Sequence, residues 1–339
     1  MLKSLKAAFK ARVNKFGIIL LLIFFTYPLI TVSWSLNPSF GFYKWLNLLL
    51  STGGVILVIF YLIITYTEVR GKLFVFIILS IALISIPFVF IVKPFYYDGT
   101  VNIFNLQLSH VIYGRFLGVA ALLSLYLIFG KQLKPVLNTA VLIIILFGLY
   151  FTGLRAALTG IILITGLTII RFLYKEKSLK PLIISLGSAV IIGLLVFYFS
   201  EYLPQQRYYS LTNLLELEYS GDSAIDTRIE LYSKSIKVIS NNNFMGDGFG
   251  GFNYGEQIFK DNKYPHNIFL ETIIELGLPG LAIIITLIFL IFLRSYRISF
   301  FLFIFYLFAF WLALFSKDIP TQSFLFSGLV LLIKPVSKE

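Results

Sequence analysis

Long apolar runs alternate with short polar stretches along nearly the whole chain, at 16–34, 45–66, 73–92, 113–130, 136–152, 154–171, 181–200, 266–293, 298–315 and 321–334. Most approach the roughly 20 residues a helix needs to cross a hydrocarbon core of about 30 Å. Residues 136–170 are almost continuously apolar and as a single helix would extend about 50 Å. A hairpin at Thr152-Gly153-Leu154-Arg155 is therefore expected to divide them. The pattern predicts an all-α fold, a polytopic membrane helix bundle of about 10 transmembrane helices, with the chain 1–339 as one integral membrane domain.

Two polar connections are longer than turns. Residues 93–112 hold Tyr96, Tyr97 and His110, and residues 201–265 hold most of the remaining charge. A structureless loop of that second length is uncommon, so 201–265 is expected to be a large, partly helical periplasmic loop. Within it Ile225, Ile229, Tyr232, Ile236 and Ile239 recur at helical spacing, with Asp222 or Ser223 as N-cap. The wheel puts Arg228 at the edge of that stripe and Lys234 and Lys237 opposite it. Gly246-Asp247-Gly248-Phe249-Gly250-Gly251 then marks a tight turn before the chain returns to the membrane.

Composition agrees with the pattern. The chain is 58% hydrophobic and 13% charged, more apolar surface than a soluble domain could hide. There are no cysteines, so disulfides, thiolate metal sites and cysteine nucleophiles are excluded, and two histidines do not make an imidazole-rich metal site. The basic segment Met1 to Lys15 precedes an apolar run too long for a cleaved signal sequence, and is read as leading into a retained first helix.

The net charge of +12 is explained by where it lies. Lys3, Lys6, Lys10, Arg12 and Lys15 share one side with Arg70, Lys72, Lys131, Lys134, Arg171, Lys175, Lys177, Lys180, Arg294, Arg297, Lys334 and Lys338. The opposite short connections hold Lys44, Lys93, Arg115, Arg155 and Lys317. Positive charge accumulates on cytoplasmic loops, so both termini are expected in the cytoplasm, with Trp34, Trp45 and Trp311 as anchors at outer helix ends. In 201–265 acids outnumber bases, so an anionic ligand would need individually placed arginines there. Nucleic acid is disfavoured as a partner.

Candidate chemistry gathers in Tyr264-Pro265-His266-Asn267-Ile268-Phe269-Leu270-Glu271. Pro265 suits the first turn of a helix, and the positive helix end favours a neutral imidazole and a bound anion. His266 is expected to rise above the hydrocarbon where substrates reach it, with Glu271 near the boundary. An interfacial histidine with no role is the competing reading. Glu275 shares a face with Glu271 and reads as structural, with Gly277 and Pro279 able to kink the helix. Arg155 at the hairpin is either a clamp on a phosphate or an arginine snorkelling to headgroups. Arg115, in Tyr-Gly-Arg-Phe-Leu-Gly, carries the same two readings, and Arg228 is either a ligand for an anion or a solvated charge. No Walker loop, nucleophile elbow or Asp-x-Asp pair occurs. Transferase chemistry here would be metal-independent, would need no cofactor, and would draw on an activated donor.

Four stretches together resemble the O-antigen ligase and surface-polysaccharide polymerase superfamily of bacterial inner-membrane glycosyltransferases. They are Ser33-Trp34-Ser35-Leu36-Asn37-Pro38; Thr152-Gly153-Leu154-Arg155-Ala156-Ala157; Asp226-Thr227-Arg228 with Asn243-Phe244-Met245-Gly246-Asp247-Gly248; and Pro265-His266-Asn267 with Leu270-Glu271, Glu275 and Gly277-Leu278-Pro279-Gly280. The resemblance implies a donor glycan linked to undecaprenyl diphosphate and an acceptor that is another glycan or a lipid A-core, met at the periplasmic face among membrane lipids. It implies that Arg155 and Arg228, with Arg115 as a further candidate, bind the diphosphate. His266 would be the catalytic base or would orient the acceptor, supported by Asn267 and Glu271, with inversion at the anomeric carbon. A transporter or flippase is the alternative, but it predicts ionisable groups near the bilayer midplane, whereas the unusual residues here collect at helix ends.

Overall fold

The computed structural model describes residues 14–64, 68–91, 100–103, 106–129, 135–176, 187, 223–241, 246–253, 264–315 and 317–333. The basic segment before Asn14, the expected span 181–200 apart from Gly187, and the stretches 201–222, 242–245 and 254–263 of the large loop lie outside them. The described residues fall into two compact units, one drawn from 1–66 and 223–339 and the other from 67–222.

The first unit begins with α1 (Lys15–Thr31), a 3-10 turn (Val32–Trp34) and α2 (Pro38–Asn47). Asn37 caps α2 by accepting from Phe40 N, with Pro38 at the first helical position. This cap starts the second span earlier than the apolar run at 45–66. Trp45 therefore lies within α2 rather than at its start, its Nε1 donating to Phe25 O at 2.8 Å. A π-helical turn (Leu48–Gly53) leads into α3 (Gly54–Ile64). Later in the chain come α8 (Ser223–Asn241), a 3-10 turn (Gly251–Asn253), α9 (Ile268–Ile298) and α10 (Phe300–Phe315). A 3-10 corner (Ile319–Thr321) and the short α11 (Ser323–Phe326) and α12 (Leu329–Ile333) complete the unit, so the run 321–334 is interrupted rather than one helix. Phe24, Leu48, Phe249, Ile268, Leu287, Ile291 and Phe326 belong to its buried core.

The second unit holds α4 (Glu68–Ile91), α5 (His110–Phe129), α6 (Pro135–Phe151) and α7 (Arg155–Glu176). Residues 93–112, expected as a loop, include a two-stranded antiparallel hairpin, β1 (Thr100–Ile103) with β2 (Leu106–Ser109), Thr100 opposite Ser109. The helical hairpin at Thr152–Arg155 forms as expected. Gly153 takes φ 66°, open chiefly to glycine, and Thr152 Oγ1 accepts from Leu154 N at 3.2 Å.

Among the described residues five helices are long and apolar enough to cross a membrane: Lys15–Trp34, Pro38–Tyr61, Val111–Ile128, Arg155–Tyr174 and Ile268–Ile298. Shorter apolar helices occupy Leu73–Pro87, Leu137–Phe151 and Phe300–Phe315, with the interrupted helical stretch Ser323–Ile333 after them.

Candidate active site

The first unit is organised around a break in α9. Gly277 has φ 68° and ψ −170° inside the helix, with Pro279 just beyond. A break in a spanning helix frees carbonyls that must be satisfied internally. Here Ile274 O accepts from Asp247 N at 2.7 Å and Leu276 O accepts from the Tyr27 hydroxyl at 2.9 Å. The expected kink is present, and two distant segments cap it.

The glycine turn supplies one of those segments. Gly246, Gly248 and Gly250 all have positive φ between 81° and 84°. A Cβ at Gly246 would overlap the Gly277 backbone, one at Gly248 would overlap Ser35, and one at Gly250 would press on Gly41. Glycine is thus required twice over, for conformation and for close approach. The turn is tied to the Ser33–Pro38 loop by Leu36 N donating to Asp247 O at 3.0 Å, and to α1 by Phe249 N donating to Thr31 Oγ1 at 3.1 Å. Three of the four motif stretches therefore meet in one unit.

Beneath this turn lies a buried ionic cluster that the sequence reading missed. Lys44 Nζ donates to Glu271 Oε1 at 2.6 Å and to both oxygens of Glu275 at 2.8 Å. Lys44 is 3% exposed and both glutamates are fully buried. The ammonium also lies 5.0 Å from the centre of the Phe249 ring. Glu271 further accepts from Ile319 N at 3.0 Å, which fastens the 317–319 corner to α9. Glu271 is expected near the boundary as a supporting site residue, and Lys44 among outer-side charges; the structure buries both within the protein, where carboxylates at an i, i+4 spacing on an apolar helix find their cation. That spacing was the available signal.

His266 does not start the helix. It stands before it in the left-handed region at φ 59°, and Asn267 is the N-cap, its side chain accepting from Phe269 N and Leu270 N at 2.9 and 3.2 Å. Asn267 Nδ2 also donates to Leu314 O at 3.2 Å, so its visible role is to anchor the corner. The imidazole is half-buried rather than fully open, and packs edge-on against Tyr264, with ring centres 4.6 Å apart. Burial, then the charges of Arg228 and Lys317, hold its pKa down to about 4, with Asp318 acting in the opposite sense. The imidazole is thus neutral at physiological pH.

Arg228 reaches this corner from α8, the helix expected over 225–239. The face that packs differs from the expected stripe. Leu231 and Ser235 are buried, Leu231 packing with Phe252 and Ile274, while Ile229 and Ile236 remain 59% and 61% exposed. The wheel alone could not choose between two adjoining apolar faces, and the α9 contact decides it. On the far side Lys234 pairs with Glu230.

The two remaining arginines belong to the second unit. Arg155 heads α7 and is half-buried, and Arg115 is buried within α5. Gly114 lies against the Thr152–Leu154 hairpin so closely that a Cβ would come 2.7 Å from Leu154, which brings Arg115 and Arg155 to one hairpin. Among the described residues no group of three or more His, Cys, Asp or Glu is placed to hold a metal ion.

Apolar helices long enough to cross a membrane, one of them broken and capped with a neutral imidazole at its N-terminal end, mark a helical membrane protein. Residues 140–285 match the family model described as O-antigen ligase. The match supports a likeness to the O-antigen ligase and polymerase superfamily of membrane polysaccharide biosynthesis, and the matched stretch contains Arg155, Arg228 and His266. No curated protein matches the chain.

Proposed function

We propose that this protein is a bacterial inner-membrane glycosyltransferase that moves a glycan from an undecaprenyl-diphosphate donor to an acceptor hydroxyl at the periplasmic face, as an O-antigen or capsular polysaccharide polymerase or an O-antigen ligase. What supports this reading is that His266, kept neutral by burial and by the Arg228 charge, stands at the capped start of α9, within the stretch that matches the O-antigen ligase family model.

The chemistry follows from the groups. The acceptor O–H gives its proton to His266 as its oxygen attacks the anomeric carbon. The bond from that carbon to the phosphate oxygen breaks, and undecaprenyl diphosphate leaves with the electron pair. Attack opposite the leaving group inverts the configuration. Arg228 holds the diphosphate and stabilises its growing charge. Arg155 and Arg115 are proposed to bind diphosphate as well. The donor is already activated, so the reaction needs no metal. The acceptor is a second lipid-linked glycan in a polymerase, or lipid A-core in a ligase.

Replacing His266 with Ala and measuring glycan transfer in membrane vesicles tests the assignment. Loss of a general base is expected to slow transfer by about 10²-fold or more. Transfer near the wild-type rate would remove His266 from the mechanism. The glycan banding of a deletion strain separates the two acceptors. Single repeats on the core mean a lost polymerase, and long chains stranded on undecaprenyl diphosphate mean a lost ligase.

A further inference from the structure

The corner after α10 lies beyond residues 140–285, yet it is sewn to the histidine corner. Asn267 Nδ2 donates to Leu314 O on one flank and Ile319 N donates to Glu271 on the other. Lys317 sits between these two ties. Its own carbonyl accepts from Gln322 Nε2 at 3.3 Å, and the neighbouring Asp318 Oδ1 accepts from Thr321 Oγ1 at 2.7 Å. Among the described residues His266 and Lys317 are the two non-glycine positions with positive φ, 59° and 67°. Strained backbone held by surrounding bonds concentrates where side chains must be aimed. Both strained residues stand on the two stitched corners, and both side chains are half-buried.

We propose that Lys317 is a phosphate-binding residue of this site, its ammonium holding the donor's diphosphate together with the Arg228 guanidinium beside His266. The proposal rests on the diphosphate-donor reading above and adds to it a residue from the last loop. A compact ammonium and a planar guanidinium whose charges both act on one imidazole suit two adjoining phosphates, one as a point charge and one as a fork. The arrangement has a chemical consequence. Burial and these two cations keep the imidazole proton-free, against Asp318. A bound diphosphate offsets the cations, so the imidazole becomes a stronger base as the donor arrives.

The test uses the full-length protein in detergent and inorganic pyrophosphate as probe, with binding followed by calorimetry for wild type, Lys317→Gln, Lys317→Arg and Arg228→Gln. Loss of one charge-assisted contact is expected to weaken binding about tenfold or more in Lys317→Gln, with Lys317→Arg close to wild type. Wild-type affinity in Lys317→Gln beside weakened Arg228→Gln overturns the role of Lys317 and leaves the diphosphate reading standing. No binding to wild type at millimolar pyrophosphate overturns both. A second readout is independent of ligand affinity: the pH dependence of His266 modification by diethylpyrocarbonate, measured with His110 replaced by Gln. Without ligand, Lys317→Gln should raise the apparent pKa of His266 and Lys317→Arg should not. An unshifted profile in Lys317→Gln places the ammonium away from the imidazole and overturns the proposal.

Discussion

At the scale of single residues, the contrast between Lys44 and His266 shows what patterning can and cannot convey. His266 was legible because an imidazole beside a long apolar run is conspicuous. Its left-handed backbone and its partly covered ring were not, since both come from corners contributed by α9 and α10. Lys44 read as an outer charge because its counterions follow more than two hundred positions later. Removing one partner of a buried ion cluster leaves uncompensated charge and costs about 3–5 kcal/mol. Lys44→Met should therefore lower the melting temperature of the purified protein sharply. The triple variant Lys44→Met, Glu271→Gln, Glu275→Gln should recover much of that loss. A mild effect of Lys44→Met alone would mean the cluster is not sealed from water. The imidazole gives a second outcome. Its pKa near 4 lies below the ordinary 6.5, so the unfolded chain takes up its proton first as pH falls. The contribution of neutral His266 is present above pH 6.5 and lost between 6.5 and 4. Denaturation midpoints across that window should slope downward with acid, and His266→Gln should flatten the slope.

At the scale of elements, hydropathy located helices well and their ends poorly. The hairpin at 152–155 followed from length alone, because no single helix of that extent fits a bilayer. The start of α2 depended on the Asn37 cap, which an apolar run does not reveal. The packed face of α8 depended on Ile274 and Phe252, which sequence spacing does not bring near. Glycines separate into two kinds on the same physical grounds. Gly246→Ala combines a positive φ with overlap at Gly277 and should destabilise the capped break, seen as a lower melting temperature and lost transfer. Gly166, in the middle of α7, has nothing within 4 Å of an added Cβ. Gly166→Ala should be at least as stable as wild type, with a helix-propensity gain of up to about 1 kcal/mol. Equal behaviour of the two variants would contradict the role given to the turn.

At the scale of the whole molecule, the alternation of apolar runs carries the membrane class, and the four motifs carry the likeness to the family whose model residues 140–285 match. What the motifs could not give was how they are held. The first, third and fourth are joined by backbone bonds from Asp247 and Phe249, and these belong to no pattern of residue types. Sidedness is open to a direct measurement because the chain has no cysteine. Single cysteines at Ser33 and Ser240, both exposed, should react with a membrane-impermeant maleimide added to spheroplasts. One at Ser299, between α9 and α10, should react only after permeabilisation. The reverse pattern would invert the orientation drawn from the lysines and arginines.

The long reach of the ionic cluster also bears on how the protein is made. Lys44 leaves the ribosome 227 residues ahead of Glu271. During that interval the second hydrophobic segment carries an ammonium whose matching carboxylates do not yet exist. It must wait at the lipid headgroups, or in the insertion machinery, until α9 arrives and draws it inward. Nascent chains halted before Glu271 should therefore hold Lys44 accessible to amine reagents, and those released after Glu275 should conceal it.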